Sequence, residues 1–405
     1  MGSDKLKRIL FKGDKVIWVV FIVLCAISWV EVFSATSRQT YTSGNYWLPI
    51  IKHSCFLLAG VFVVWFIHNL KAQWIDKFTN GIYWLGIVGL IWAQVQGTRL
   101  NDSARWISIM GMTFQPMELA KMGLMMMTSR ILANNQNEDG TDSAAFKEII
   151  KYSALPIAII LKENLSSAVL LSGAVFLMMF IGRIEKKLLL RTIGVGAAVG
   201  LCGLTIIMMT PESAAKSGSF GNKIVTWKHR ITDAFNSDPI TAEEYENDNE
   251  QRTYSHIAVA SSHLIGCGPG NSIQRDFIPH AQSDYIFAVI IEELGLLGGI
   301  LVVLLYLILL YRCGKIAKNC DDPYPAFLAM GIGMIIVMQA LLHMYISVGN
   351  FVTGQPLPLL SQGGTSVIIN CIYIGFVLSI SRYANQKNKS TEAAISENST
   401  QIVQH

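Results

Sequence analysis

The chain has 405 residues, of which 52% are hydrophobic and only 15% charged, and its net charge is +4. Soluble domains carry about 25% charged residues, so a soluble globular protein is excluded, a polytopic membrane protein is expected, and no nucleic-acid partner is implied. The seven cysteines, at 25, 55, 202, 267, 313, 320 and 371, show no CxxC or Cys/His spacing, which argues against a zinc site or a disulfide framework.

Crossing about 30 Å of hydrocarbon takes roughly 20 helical residues. Apolar runs of that order fall at 15–35, 47–69, 82–98, 116–132, 149–162, 165–181, 191–210, 284–312, 323–347 and 363–382. The fold class expected is therefore an all-α polytopic integral membrane protein of about ten transmembrane helices. A cytoplasmic tail (1–14), a membrane domain (15–383) and a polar cytoplasmic tail (384–405) divide the chain. The first run continues into "SATSRQT" without a small-residue cleavage pattern and is read as a retained helix, not a signal peptide. The fifth run is short and meets the sixth at "KEN" (162–164), so the two are also compatible with one broken hairpin buried against other helices.

Ten crossings place both termini on one side, and charge says which. The tails and alternate loops assigned to the cytoplasm hold Lys5, Lys7, Arg8, Lys12, Lys15, Lys71, Lys77, Arg130, Lys147, Lys151 and the clusters 183–191, 312–318 and 382–389. The short outer loops hold only Arg38, Arg99, Arg105 and Lys162, as the positive-inside rule requires. Between the seventh and eighth helices lies a large extracytoplasmic loop, 211–283, with the acidic stretch "DPITAEEYENDNEQR". Structureless loops of this length are uncommon without a function.

That loop delivers Asp284 to the start of the eighth helix. An Asp there reads most simply as an N-cap accepting from free backbone N–H groups. Glu118 and Lys121 lie three apart on one face of the fourth helix and are expected to form an ion pair with each other, or to pair with Lys52 and with Glu292 or Glu293, since an isolated intramembrane charge is costly. Lys52 and His53 lie near the outer end of the second helix, where a lysine can snorkel to the interface. The Pro- and Gly-rich "GNFVTGQPLPLLSQGGTS" (349–366) reads as a re-entrant or cavity-lining segment. Together these features point to a polar chamber open to the outside.

Five ordered blocks then carry a family resemblance: "NDSARWI" (101–107), "QPMELAK" (115–121), "GCGPGNSIQ" (266–274), "HAQSDYIFAVIIEELG" (280–295) and "TGQPLPLLSQGGTS" (353–366). They resemble the signature blocks of the SEDS family, the FtsW, RodA and SpoVE peptidoglycan polymerases. Departures occur where the family commonly has "PDLGTA" and this chain has "ENLSSA", with Asn164 replacing the acid. "SQGG" likewise stands for "SYGG", and "NDSARW" for "NGARRW".

The resemblance implies a peptidoglycan glycosyltransferase in the bacterial cytoplasmic (inner) membrane that joins lipid II units, undecaprenyl-pyrophosphate-linked disaccharide peptides, into glycan strands. Asp284 is then the expected catalytic base, acting on the acceptor hydroxyl in an inverting displacement. Lys52 and Arg105 are the expected pyrophosphate contacts, Trp106 a sugar-stacking surface, and His280, Gln355 and Ser366 further substrate-binding residues. No metal ligand is assigned, and a divalent cation, Mg or Mn, stays open as a cofactor. The resemblance also implies partners: a class B penicillin-binding protein that supplies the transpeptidase, and other divisome membrane proteins. The 349–382 block is closer to the division type than to the elongation type, which implies action at the septum. The alternatives are a RodA-type elongation polymerase, a lipid II flippase, for which matching repeats are expected and none is visible, and a scaffold, which needs no carboxylate at 284.

Overall fold

The computed structural model describes residues 12–36, 47–96, 98–100, 103–109, 112–138, 140–211, 250–278, 281–349 and 355–403, with isolated positions between 221 and 232. It is mostly helical. In chain order the elements are α1 (Lys15–Ala35), α2 (Leu48–Ile67), α3 (Ala72–Gln96), strands β1 (Thr98–Leu100), β2 (Ser103–Ile109) and β3 (Met112–Phe114), and α4 (Pro116–Asn134). There follow β4 (Gln136–Asn137), β5 (Gly140–Thr141), α5 (Ser143–Glu163), α6 (Leu165–Ile181), α7 (Lys186–Met209) and the short α8 (Glu250–Ser261). The chain closes with α9 (Ile286–Lys318), α10 (Pro323–Val348) and α11 (Gly364–Val403).

Each expected apolar run is helical, and among the described residues seven helices are long and apolar enough to span a membrane: α1, α2, α3, α7, α9, α10 and α11. Several boundaries differ from those expected. Helix α3 begins ten residues early, at Ala72, and α5 begins at Ser143, where Asp142 accepts from the Ala144 N–H. The last helix continues to Val403 because nothing after Gly375 breaks it: the tail contains neither Pro nor Gly. The all-α expectation also needs correcting. Residues 103–107 of the "NDSARWI" block fold as part of an antiparallel three-stranded sheet, β1–β2–β3, and β4 pairs with β5. Ile107 and Ile109 bring β-branched residues to the β2–β3 pairing, opposite Phe114 and Met112.

The weakly apolar α4 is buried on nearly all sides, lying against α3, α10 and α5. Its surroundings are protein, so its low hydropathy is no obstacle. Small residues allow the approach: a Cβ at Gly86 of α3 would lie 2.7 Å from the Ala120 Cα, and one at Gly123 of α4 2.7 Å from the Tyr83 Cα. The "KEN" junction is a true helix break. Asn164 ends α5 and caps α6, its side-chain oxygen accepting from the Ser167 N–H at 3.1 Å. The residue that replaces the family's acid thus serves as a cap, which Asn fills as well as Asp.

Helix α9 is broken at Gly295, whose φ of 73° is left-handed. The sequence reading takes 284–312 as one apolar run. Breaking the ladder orphans carbonyls before the kink and N–H groups after it, each costing several kcal/mol in hydrocarbon. The loop 263–268 supplies four of the partners. Cys267 and Gly268 N–H donate to the carbonyls of Glu292 (3.0 Å) and Glu293 (2.9 Å), while Leu296 and Leu297 N–H donate to those of His263 (3.2 Å) and Leu264 (3.3 Å). The two backbones are too close for side chains, since a Cβ at Gly295 would meet the Leu264 oxygen at 2.4 Å.

Candidate functional site

The candidate site is built where two of the sequence blocks dock. The turn 281–285 precedes α9, and its residues are buried or half-buried. Tyr285 occupies the N-cap position, without a side-chain cap bond. Asp284 therefore sits one residue outside the expected cap, half-buried at the helix mouth. Against this turn lies the segment 355–363. The Gln362 N–H donates to the Gln282 carbonyl at 2.9 Å, and the Ser361 hydroxyl donates to the Ser283 carbonyl at 2.7 Å. The same hydroxyl accepts from the Leu357 N–H, which closes a tight turn in which Leu359 has a φ of 65°.

A polar layer supports that turn from inside the bundle. Lys121 is 2.6 Å from Glu118 and donates to Gln339 on α10 at 2.8 Å; Glu118 and Lys121 are each 1% exposed. The Gln339 amide donates in turn to the Pro356 carbonyl at 3.2 Å. One helical turn later on α10, His343 Nδ1 is 2.7 Å from the Gln355 carbonyl, and the Gln355 side chain donates to Ser167 at 2.6 Å. Three helices, α4, α10 and α6, are thereby tied to the segment that meets the mouth of α9. From α1, Ser28 donates to the Leu360 carbonyl at 3.0 Å and contacts His53 at 3.1 Å. The Gln115 N–H, just before α4, donates to Thr365 at 3.2 Å and joins the end of β3 to the start of α11.

A second set of bonds fixes the loop leading to Asp284. Glu292 and Glu293, both buried, face that loop and not Lys121, which corrects one of the pairings expected from sequence. Glu292 accepts from the N–H groups of Ile273 (3.0 Å) and Gln274 (3.3 Å), and Glu293 from those of Gly270 (2.9 Å) and Ser272 (3.2 Å). Arg275 lies 3.3 Å from Glu293, and Ser34 of α1 bonds to both. A carboxylate that accepts several N–H bonds makes a rigid anchor. Cys267 sits beside this anchor, and partial burial, with the charges of Glu292 and Glu293, pushes its thiol above the ordinary range.

With this geometry in place, comparison with known proteins becomes specific. The model of the FtsW/RodA/SpoVE family, described as cell cycle protein, matches residues 14–386. The chain belongs to the FtsW/RodA/SpoVE family. Among its relatives, a probable peptidoglycan glycosyltransferase FtsW of Halomonas elongata is 27% identical over 385 residues, covering 93% of this chain and 92% of that protein. Stage V sporulation protein E of Bacillus subtilis is 27% identical over 380 residues, covering 92% and 97%. A chain from a peptidoglycan synthase complex that coordinates polymerization and crosslinking superposes with a TM-score of 0.68 at 19% identity, covering 92% of this chain and 99% of that one. The rod shape determining protein RodA of Thermus thermophilus gives 0.64 at 19% identity, covering 91% and 97%. The fold is that of RodA.

The remaining residues expected at a FtsW/RodA/SpoVE site fall as follows. Lys52 is exposed near the start of α2. Arg105 and Trp106 are in β2, with Trp106 opposite Thr98 in register. Gln355 and Ser366 are buried, 1% and 3% exposed; the Gln355 amide points to Ser167, and the Ser366 carbonyl accepts from Asn370. His280 lies outside the described residues. Among the described residues, no group of three or more His, Cys, Asp or Glu is placed to hold a metal ion, so none is assigned to a cation. Gln339, His343 and Ser361 were not singled out from the sequence. The first two had a legible signal: with Ser347 they form an i, i+4, i+8 polar stripe on an otherwise apolar helix.

Proposed function

We propose that this chain is a peptidoglycan glycosyltransferase that polymerises lipid II, with Asp284 as the general base. The observation that carries the proposal is the docking of the 281–285 turn on the 355–363 segment, which brings two family blocks far apart in sequence to one carboxylate at the mouth of a membrane helix. Attack of the acceptor's 4-hydroxyl on the donor's anomeric carbon needs a base for the hydroxyl proton and cations for the departing pyrophosphate. Asp284 takes the proton. Lys52 and Arg105 are assigned to the pyrophosphate, and Trp106 and His280 to the sugars. An α-linked donor and a β-linked product require a single inverting displacement, with no covalent enzyme intermediate. Gln355 and Ser366 are assigned a positioning role, since their side chains lie inside the support layer.

In this reading ten helices cross the inner membrane: the seven apolar spans, the protein-enclosed α4, the amphipathic α5 and the short apolar α6. Both termini are cytoplasmic, the 211–283 loop is outside, and residues 15–383 form the catalytic membrane domain. The FtsW names of the relatives favour a septal role in cell division over elongation. The synthase complex among the structural relatives favours a transpeptidase partner of the class B penicillin-binding type. Cysteine labelling from each side tests the topology; residues in the 240s reacting from the cytoplasm would overturn it.

The test of the base is lipid II polymerisation by purified Asp284→Asn at matched folded concentration. Turnover is expected to fall by about 10²–10⁴-fold with insertion and folding unchanged. Near-normal turnover would reduce Asp284 to a helix-entry residue.

A further inference from the structure

A cavity of about 300 Å³ lies at the opposite end of the bundle, where the start of α1, the end of α9 and α11 meet. Its charged walls are Asp14, Lys15, Arg312 and Lys315. Asp14 is committed: it caps α1 through the Val16 and Ile17 N–H groups and pairs with Arg312, whose Nε donates at 2.9 Å. Both members of that pair are partly or fully withdrawn from solvent, so the pair is a rigid floor with no net charge. Among the described residues, the cavity-wall charges outside that pair are Lys15 and Lys315, both exposed.

Each of these lysines ends an apolar stripe. On α1, residues spaced by three or four from Lys15 face outward: Val19 is 58% exposed, Ile22 49%, Trp29 51% and Phe33 56%. On α9 the corresponding residues before Lys315 are Tyr311, Ile308, Leu304 and Leu297, all exposed. Helices α1 and α9 pack together. Two adjacent greasy tracks thus run along the bundle and finish at one polar cavity with two cations at its rim. The volume suits a headgroup and is too small for acyl chains. Basic pockets between membrane helices bind anionic lipid headgroups by this arrangement.

We propose that this cavity binds the phosphate of an anionic phospholipid, whose acyl chains lie along the α1 and α9 stripes. The proposal rests on α1 and α9 spanning the membrane and is independent of the glycosyltransferase assignment. Free phosphate esters share the headgroup chemistry; the stripes favour the lipid.

The test is native mass spectrometry of the delipidated full chain titrated with phosphatidylglycerol, phosphatidylcholine or soluble glycerol 3-phosphate. Saturable phosphatidylglycerol binding is expected, weakened about fivefold by Lys15→Gln or Lys315→Gln and about 25-fold by both together. Lys→Arg at both positions should retain it, and thermal melting of the lipid-free variants should match the parent. Equal phosphatidylglycerol binding by parent and double Gln variant would overturn the proposal, leaving the lysines as snorkelling side chains. Equal retention of phosphatidylcholine would overturn it as well. Binding of glycerol 3-phosphate as tight as that of the lipid would overturn the assignment of the stripes.

Discussion

Helices α7 and α10 are both apolar enough to span a membrane, yet 72% of the most apolar stretch of α10 is buried and none of that of α7 is. Their polar residues account for the contrast. Thr192 and Thr205 of α7 bond back to their own helix, at the Leu188 and Leu201 carbonyls, and ask nothing of a neighbour. Gln339 and His343 of α10 reach other elements and can be satisfied only inside the protein. A self-satisfied apolar helix is free to face lipid, whereas one carrying unsatisfied side chains is obliged to seek the interior.

The strongest way to break this comparison is to attack the α4 ion pair to which Gln339 of α10 is bonded. Glu118→Gln or Lys121→Met strands its partner in the dry interior and is expected to cost roughly 3–5 kcal/mol, seen as lower folded yield and melting temperature. The charge-swapped double variant should recover part of that loss. If Glu118→Gln melted normally but abolished polymerisation without rescue by the swap, the pair would be acting in catalysis.

One substitution made on both helices sharpens the contrast. Gly333→Ala in α10 puts a Cβ 2.7 Å from the Cys313 Cβ and is expected to destabilise by about 1–3 kcal/mol. Gly203→Ala in α7 meets nothing within 4 Å and should be neutral or stabilising by up to about 1 kcal/mol, from helix propensity. Equal melting shifts for the two would show that α7 is packed against protein after all.

The smallest expected effect is at the loop that repairs α9. Burial first, and then the neighbouring Glu292 and Glu293, hold the Cys267 thiol up, so at neutral pH its reactive thiolate is scarcer than for an ordinary cysteine. With Cys267 as the sole cysteine, maleimide labelling should be slow at neutral pH and should accelerate only as pH rises past the usual thiol range. Glu292→Gln should move that rise to lower pH. An unshifted profile would mean that the anchor does not govern the thiol.

Much of the architecture was legible from hydropathy and spacing. Every apolar run became a helix, and the Glu118–Lys121 spacing matched the observed contact. The strands around Arg105 and the break at Gly295 were not legible. The first is a short polar sheet without a clean alternation, and a single Gly inside "EELGLLGG" is common in membrane helices. The site was legible as a list of blocks but not as an arrangement. Glu292 and Glu293 looked like candidates for Lys121 because spacing along one chain carries no information about the 266–275 loop that claims them.

By itself, then, the sequence determined where the chain is apolar, where its cations concentrate, the order of the family blocks and the carboxylate at 284. Those depend on one residue at a time or on neighbours within a helical turn. Only the tertiary structure decided which apolar helix faces protein, which loop heals α9, that Asn164 caps α6, and that Ser361 and Gln362 hold the turn before Asp284. Hydropathy measures transfer from water to an apolar medium and does not tell lipid from protein. Hydrogen-bond partners as distant as Ser28 and Leu360, 332 residues apart, are chosen by packing.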